Sequence, residues 1–258
     1  MPPKHFVLSW KARASPLENR RREAQDKAGE TIADMVQLAL AGEFVPFAVN
    51  ISAAEANETL RPFLPLAERL GRLFSSLVGT VPGSFESSFE GEIGGYDTRI
   101  LGLAVLKGFF GGISDAPVTF VNAPQVAREH GIEVRDVNCA TSDDYVNLIT
   151  LSGGGHSISG TLSGRRGEQR IVRIDGHGVD VPPADHLLMV TNDDRPGVIG
   201  TVGTLLGDAG VNIADMDVGR AEAGSALMLI ATSTEVGQSL IEELRASPGI
   251  TSVVALTG

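Results

Sequence analysis

The chain has 258 residues, enough for one large or two medium domains that each bury a core. Its formal net charge of -11 and its pI of about 4.9 disfavour binding to nucleic acid or to an anionic membrane surface. The single cysteine, Cys139, excludes an internal disulfide and a cysteine-based metal site, and no apolar run reaches the roughly 18 residues of a membrane span. We therefore expect a soluble, cytoplasmic protein.

The first half of the chain begins with a basic leader, residues 1–22, which shows no sustained period and is expected to be mobile. The helical spacing of Ile32, Met35, Val36 and Leu40 then predicts a helix over 24–41. An extended, proline-broken connector follows, and a face of regularly spaced leucines predicts a second helix at about 55–78.

The middle of the chain alternates short strands with helices. "SFESSFEGEI" alternates like a strand with one wet face, and "DTRILGLAVLKGFFGGI" predicts a buried helix capped by Asp97 or Thr98. "APVTFVNA" is predicted to be a strand and "PQVAREHG" a short helix with Pro124 in its first turn and Gly131 at its end. Four further strands with Gly and Ser turns are predicted to form an antiparallel meander: "IEVRDVN", "YVNLITLS", "HSISGTLS" and "QRIVRIDG". "VDVPPADH" then separates this part from the last one.

The last segment, from His186 to Gly258, follows a strand, helix, strand, strand, helix, strand pattern. This order predicts a ferredoxin-like βαββαβ unit. Such a unit leaves one face of its sheet open, and we expect a partner to cover that face.

A series of glycines runs through "TNDDRPGVIGTVGTLLGDAGVNI", residues 191–213. A dinucleotide site needs G-x-G-x-x-G, whereas Gly197, Gly200 and Gly203 are three residues apart, and no Lys-Ser or Lys-Thr pair suggests a phosphate loop. Because Gly200, Gly203, Gly207 and Gly210 recur at helical spacing, we interpret them as a packing face.

The residues just before this helix suggest a ligand site. Polar side chains at Asn192, Asp193 and Asp194 precede Pro196 and Gly197 on a strand-to-helix loop. A helix N-terminus favours a carboxylate, and a nearby Asp or Asn accepts a hydrogen bond from an ammonium group. An amino acid meets both requirements.

These residues carry a resemblance to a known family. "DRPGVIGTVGTLLGDAGVNIADMDVGR" resembles the start of the ACT domain that ends D-3-phosphoglycerate dehydrogenase. "PVTFVNAPQVAREHGIEV" and "SISGTLSGRRGEQRIVRIDGHGVDV" resemble the intervening domain of the long-chain form, and "QDKAGETIADMVQLALAGEFVPFAVN" is similar to the exit from its catalytic portion.

The resemblance implies an α+β protein in which an intervening α/β-meander domain precedes a ferredoxin-like βαββαβ ACT domain. The expected boundaries are 1–22 for the leader, 23–50 for a remnant of the terminal catalytic helix and linker, 51–182 for the intervening domain and 185–258 for the ACT domain. The family's NAD-binding and hydride-transfer motifs have no counterpart here, and His5 lies in an unrelated context. We therefore expect no cofactor and no catalytic residue in this chain, whereas the full-length family uses NAD.

In the family, serine binds between two ACT domains, which implies an L-serine site and a homo-oligomer. The matching effector-binding positions are Asn192, Asp194, Pro196, Gly197, Val198 and Asn212. Asn192 departs from the His or Tyr of several members, while Asp194 could instead cap the helix and Asn212 could serve a turn. Three interpretations are compatible with this sequence: a regulatory half that acts on a catalytic partner in trans, the truncated tail of an active dehydrogenase, or a stand-alone amino-acid sensor.

The intervening domain is similar to one proposed to bind anionic effectors, and its basic residues form a candidate anion site: Arg165, Arg166 and Arg170, with Arg173 nearby. A solvated strand face is the competing interpretation. The histidines lack metal-ligand spacing, and "SGGGHS" around His156 lacks a nucleophile elbow and a partnered acid, so we expect neither a metal site nor a serine hydrolase.

Overall fold

The structure of the chain is a computed structural model, which describes residues 32–33, 36–37, 58–114, 116–220 and 225–258. The four described residues between 32 and 37 are helical. The rest of the helix predicted over 24–41, the leader and the connector lie outside the described residues. The chain divides into two units at Val45 and Pro46, and the second unit contains both sheets described below.

Helix α1 (Leu64–Val78) follows a 3-10 turn at Arg61–Phe63, so the start predicted at 55 is wrong for the described residues 58–63. Pro62 and Pro65 lack the N–H groups that an α-helix needs in its interior, so the α-helix begins next to them. The predicted end is confirmed, because Gly79 adopts a left-handed conformation just after Val78.

Two more helices belong to the same domain, α2 (Arg99–Gly111) and α3 (Ala123–Glu129). Thr98 occupies the N-cap position of the buried helix α2, but its hydroxyl donates to Asn138 Oδ1 at 2.7 Å instead of capping. The strand predicted at "APVTFVNA" is wrong. The Asn122 side chain folds this segment into a turn by accepting from the Thr119 N–H at 2.7 Å.

A six-stranded sheet has the strand order β2-β1-β3-β4-β5-β6. Its strands are β1 (Ser84–Gly91), β2 (Glu133–Cys139), β3 (Asn147–Gly153), β4 (His156–Ser163), β5 (Glu168–Ile174) and β6 (His177–Val181). The predicted meander is wrong at both ends. Strand β2 pairs in parallel with β1, whereas β3 to β6 form the antiparallel run. Strand β6 is not among the predicted strands, and its last three residues lie in the segment expected to separate the two domains.

Helices α1 and α2 cross at very short distance. A Cβ atom on Gly71 would overlap the Val105 carbonyl oxygen, and one on Gly108 would overlap the Glu68 carbonyl oxygen. The two helices pack around a cluster of phenylalanine rings in tilted and edge-to-face contacts, with centroids of contacting rings 5.1 to 6.0 Å apart: Phe74, Phe85, Phe109 and Phe110.

The second sheet has the order β10-β7-β9-β8, as a ferredoxin-like unit requires. Its elements are β7 (His186–Asn192), α4 (Val198–Asp208), β8 (Ile213–Arg220), β9 (Ala226–Thr232), α5 (Gln238–Ala246) and β10 (Ile250–Thr257). The predicted βαββαβ pattern is confirmed. Helices α4 and α5 bury a common core against one face of the sheet.

The glycines of α4 do not form a packing face, so that interpretation is wrong. A Cβ atom on Gly200, Gly203 or Gly207 would meet no atom within 4 Å, and the helix packs through its Val198, Val202 and Leu206 side. The branched side chains take the core because burying them stabilises the fold, while glycine offers no apolar side chain to bury.

The second face of this sheet is covered by the first domain and not by a partner, which corrects our expectation. The side chains of Leu187, Met189, Leu227 and Leu229 are at most 3% exposed. Helix α1 contacts β10, and β6 contacts β8 and β9. The Arg72 guanidinium also donates to the Gly258 carbonyl at 3.2 Å, so the two sheets form one packed unit.

Candidate functional site

The loop from β7 to α4 holds two residues with positive φ, Asp194 (52°) and Gly197 (97°). The Asn192 Oδ1 atom fixes this geometry by accepting from the Asp194 N–H at 3.0 Å. The Asp193 N–H donates to the Gly249 carbonyl at 3.0 Å, which ties the loop to the start of β10. The loop is therefore held in one conformation that a non-glycine residue adopts only at a cost.

Two buried polar atoms in this loop have no hydrogen-bond partner. Among the described residues, Asn192 Nδ2 and Asp193 Oδ1 are two of five such side-chain atoms, and they belong to adjacent residues. Asn192 itself is 4% exposed. Buried unpaired groups cost free energy and concentrate where proteins bind ligands.

The start of α4 offers backbone donors. Gly197 is the N-cap residue and no side chain caps the helix, so the alternative that Asp194 serves as the cap is wrong. The first N–H groups of a helix have no acceptor within the helix. Ile199 and Gly200 are exposed residues at this end, whereas the Val198 N–H donates to the Arg195 carbonyl at 3.4 Å.

Two arginines neutralise the acidic side chains of the loop. The Arg220 Nε atom lies 3.0 Å from Asp194 Oδ2, and the Arg195 Nε atom lies 2.7 Å from Asp193 Oδ2. Sequence reasoning gave Arg220 no role, although this residue ends the stretch that resembles the ACT domain, because it is 26 positions away from Asp194. Only the pairing of the strands brings it to the loop.

Asn212 lies far from the other predicted residues. Strand pairing places Asn192 beside Ala226 and Ala226 beside Arg220, at one end of the sheet. Asn212 precedes Ile213, which pairs with Thr232 at the other end. At about 3.3 Å per residue, the six steps from Ala226 to Thr232 separate these ends by roughly 20 Å. One copy of the chain therefore cannot bring Asn212 to Asp194.

Two family models match parts of the chain. Residues 59–175 match the model described as the D-3-phosphoglycerate dehydrogenase intervening domain, and residues 186–249 match the ACT domain. The chain belongs to the D-3-phosphoglycerate dehydrogenase family. It represents the intervening and ACT domains of that family, as the sequence resemblance predicted.

The curated relatives that the chain matches carry the same name. It is 39% identical to the D-3-phosphoglycerate dehydrogenase of Mycobacterium leprae (strain TN) over 81% of this chain and 40% of the relative. It is 34% identical to that of Synechocystis sp. over 88% and 42%, and 32% identical to that of Bacillus subtilis (strain 168) over 90% and 45%. The chain thus spans less than half the length of these relatives.

The basic residues of the intervening domain are not gathered into one open cluster. Arg165 and Arg166 are exposed in the turn between β4 and β5. Arg170 is paired with Asp180 at 2.9 Å, and Arg173 with Asp144 at 3.0 Å. The anion site stays a prediction, and a ligand there would have to displace an existing ion pair at Arg170.

His156 does have a partnered acid, contrary to our expectation. Its Nδ1 atom lies 2.8 Å from Asp175 Oδ2, because the pairing of Ile158 with Ile174 brings the two strand ends together. The Asp175 carboxylate also accepts from the Ser157 N–H, so it orders the hairpin. Within the described residues, no group of three His, Cys, Asp or Glu side chains could hold a metal ion.

Strand β6 lies between the residues matched by the two family models and links the two domains. The buried His177 Nε2 atom lies 3.1 Å from Ser225 Oγ, and the Asp180 N–H donates to Asp217 Oδ2 at 2.7 Å. These contacts join the intervening sheet to the end of the ACT sheet that carries Arg220. Across the described parts of the chain, no helix is long and apolar enough to cross a membrane.

Proposed function

We propose that the chain binds L-serine, or a closely related small amino acid, between the ACT domains of two copies. Binding would regulate a D-3-phosphoglycerate dehydrogenase catalytic portion, in the same protein or in a partner chain. The observation that carries the proposal is the placement of the polar loop and of Asn212 at opposite ends of one sheet.

The loop chemistry fits a zwitterion. No side chain caps the start of α4, and the first-turn N–H groups and the positive end of the helix dipole suit a carboxylate. The Asp194 carboxylate suits an ammonium group. Pro196, Gly197 and Val198 shape the backbone between these two groups, and Asn192 holds the Asp194 N–H.

Strand β8 supplies a way to pair two copies. Met216 and Val218 face the helices, whereas Asp217 and Gly219 face β6, so β6 covers a face of β8 and not its edge. Within the described chain, β8 pairs with β9 alone. An antiparallel β8–β8 pair with two-fold symmetry would place Asn212 of one copy near Asp194 of the other.

Complementation between two defective variants tests this arrangement. Asp194→Ala and Asn212→Ala should each lose L-serine binding in calorimetry on the full chain. After the two variants are mixed and allowed to exchange subunits, half of the dimers contain one copy of each. Each mixed dimer regains one intact site, so about a quarter of the wild-type number of sites should return.

Two results would contradict the proposal. Absence of heat with L-serine and other small amino acids, on wild-type chain shown to be folded by circular dichroism, would overturn amino-acid binding. Serine binding by Asn212→Ala at wild-type affinity would overturn the two-copy site. Asn138→Ala is a control variant in the other domain that should bind serine normally.

A further inference from the structure

We propose that Arg220 lowers the affinity of the effector site by occupying the carboxylate that the ligand's ammonium group needs. The inference rests on the proposed amino-acid site and assigns it a built-in competitor. Its starting observation is the 3.0 Å contact between Arg220 Nε and Asp194 Oδ2 in the ligand-free chain.

The fold determines this contact. Arg220 is the last residue of β8 and pairs with Ala226, which in turn pairs with Asn192. Strands β8 and β7 therefore end, and β9 begins, at the same level of the sheet. The Arg220 side chain extends across to Asp194, two positions after the end of β7. The positive φ of Asp194 and the hydrogen bond from its N–H to Asn192 hold the carboxylate there.

The guanidinium and an incoming ammonium group compete for the same oxygen atoms. Both are cations, so Arg220 repels the ammonium while it remains paired, and its own hydrogen bond must break for the carboxylate to bind the ligand. The side chains of Arg220 and Asp194 are 75% and 38% exposed. Exposed pairs of this kind are weak, so the ligand can displace Arg220 at a modest loss of affinity.

Arg195 does not share this role. Its guanidinium lies 2.7 Å from Asp193 Oδ2, and it is 73% exposed, which matches the exposure of Arg220. Replacing Arg195 also removes one positive charge that is paired with this loop, but it leaves the Asp194 pair in place. It therefore measures the general effect of charge near the site.

The experiment is calorimetric titration of the full chain with L-serine, comparing wild type with Arg220→Gln, Arg220→Lys and Arg195→Gln. We expect Arg220→Gln to bind serine about three- to five-fold more tightly. Arg220→Lys keeps the cation and should stay near wild type, and Arg195→Gln should change affinity by less than half as much as Arg220→Gln.

Glycerate, which has a hydroxyl group where serine has its ammonium group, separates competition from a general loosening of the loop. Its affinity should not improve in Arg220→Gln. Unchanged or weaker serine binding by Arg220→Gln, or an equal gain for glycerate, would overturn the role of Arg220 while leaving the amino-acid site intact. If no variant binds any amino acid, both proposals fail.

Discussion

The two domains use glycine in opposite ways. In the intervening domain, Gly71 and Gly108 lie where α1 and α2 cross, and neither position has room for a methyl group. In the ACT domain, Gly200, Gly203 and Gly207 recur more regularly along α4, yet they face open space. Regular spacing in the sequence therefore does not reveal which glycines pack, because packing depends on what the rest of the chain places opposite them.

The largest effect is expected at the α1–α2 crossing. Gly108→Ala places a methyl group against the Glu68 backbone and forces the helices apart, which should lower the free energy of unfolding by about 2 to 3 kcal/mol. Urea denaturation measures this change. A loss below about 0.5 kcal/mol would mean that the crossing adapts easily, and the contrast between the two domains would lose its basis.

A second glycine of α2, Gly102, bears on the pH dependence of stability. Gly102 lies against the Asp136 carboxylate. Asp136 as a whole residue is exposed, but desolvation of its carboxylate raises the pKa to about 6, with the Ser87 hydroxyl opposing the shift. The ionised form is therefore disfavoured in the folded chain. The stabilisation from protonation is fully present below the unfolded pKa, near 3.8, and is lost as the pH rises through about 6.

The melting temperature of Asp136→Asn should consequently increase relative to that of wild type as the pH is raised from 4.5 to 7.5. Thermal unfolding of both proteins across this range measures the difference, in which titration of the other groups cancels. Parallel curves would show that the Asp136 pKa is not raised, and that Gly102 provides no enclosed site for the carboxylate.

The smallest effect is expected in α4. Gly203→Ala meets no neighbouring atom and improves helix propensity, so it should raise the free energy of unfolding by up to about 1 kcal/mol. Denaturation at low protein concentration measures it. A loss that appears only at high concentration would show that a second copy covers the glycine face of α4.

Much of the fold could be predicted because it depends on local patterns. Within each of β7, α4, α5 and β10, apolar residues recur every few positions, and these local periods identified the order of elements in the ACT domain. The first domain was predicted less well. Parallel pairing of β2 with β1 depends on residues about 49 positions apart, as Ser84 pairs with Glu133, and no local period encodes that partner.

The candidate site could likewise be predicted only in part. The polar loop at Asn192 and Asp194 could be found in the sequence, because strand, turn and helix start are consecutive. Arg220 and Asn212 could not be placed relative to it, since one reaches the loop through strand register and the other lies about 20 Å away at the far end of the sheet.

The sequence by itself therefore determined the family, the order of elements in the ACT domain and the loop that could hold an amino acid, since each is written in neighbouring residues. Only the tertiary structure decided which glycines pack, that β6 and α1 cover the ACT sheet, and that Arg220 neutralises Asp194. The physical reason is that burial and ion pairing depend on which distant segments meet, whereas helix and strand periods depend on the local chain.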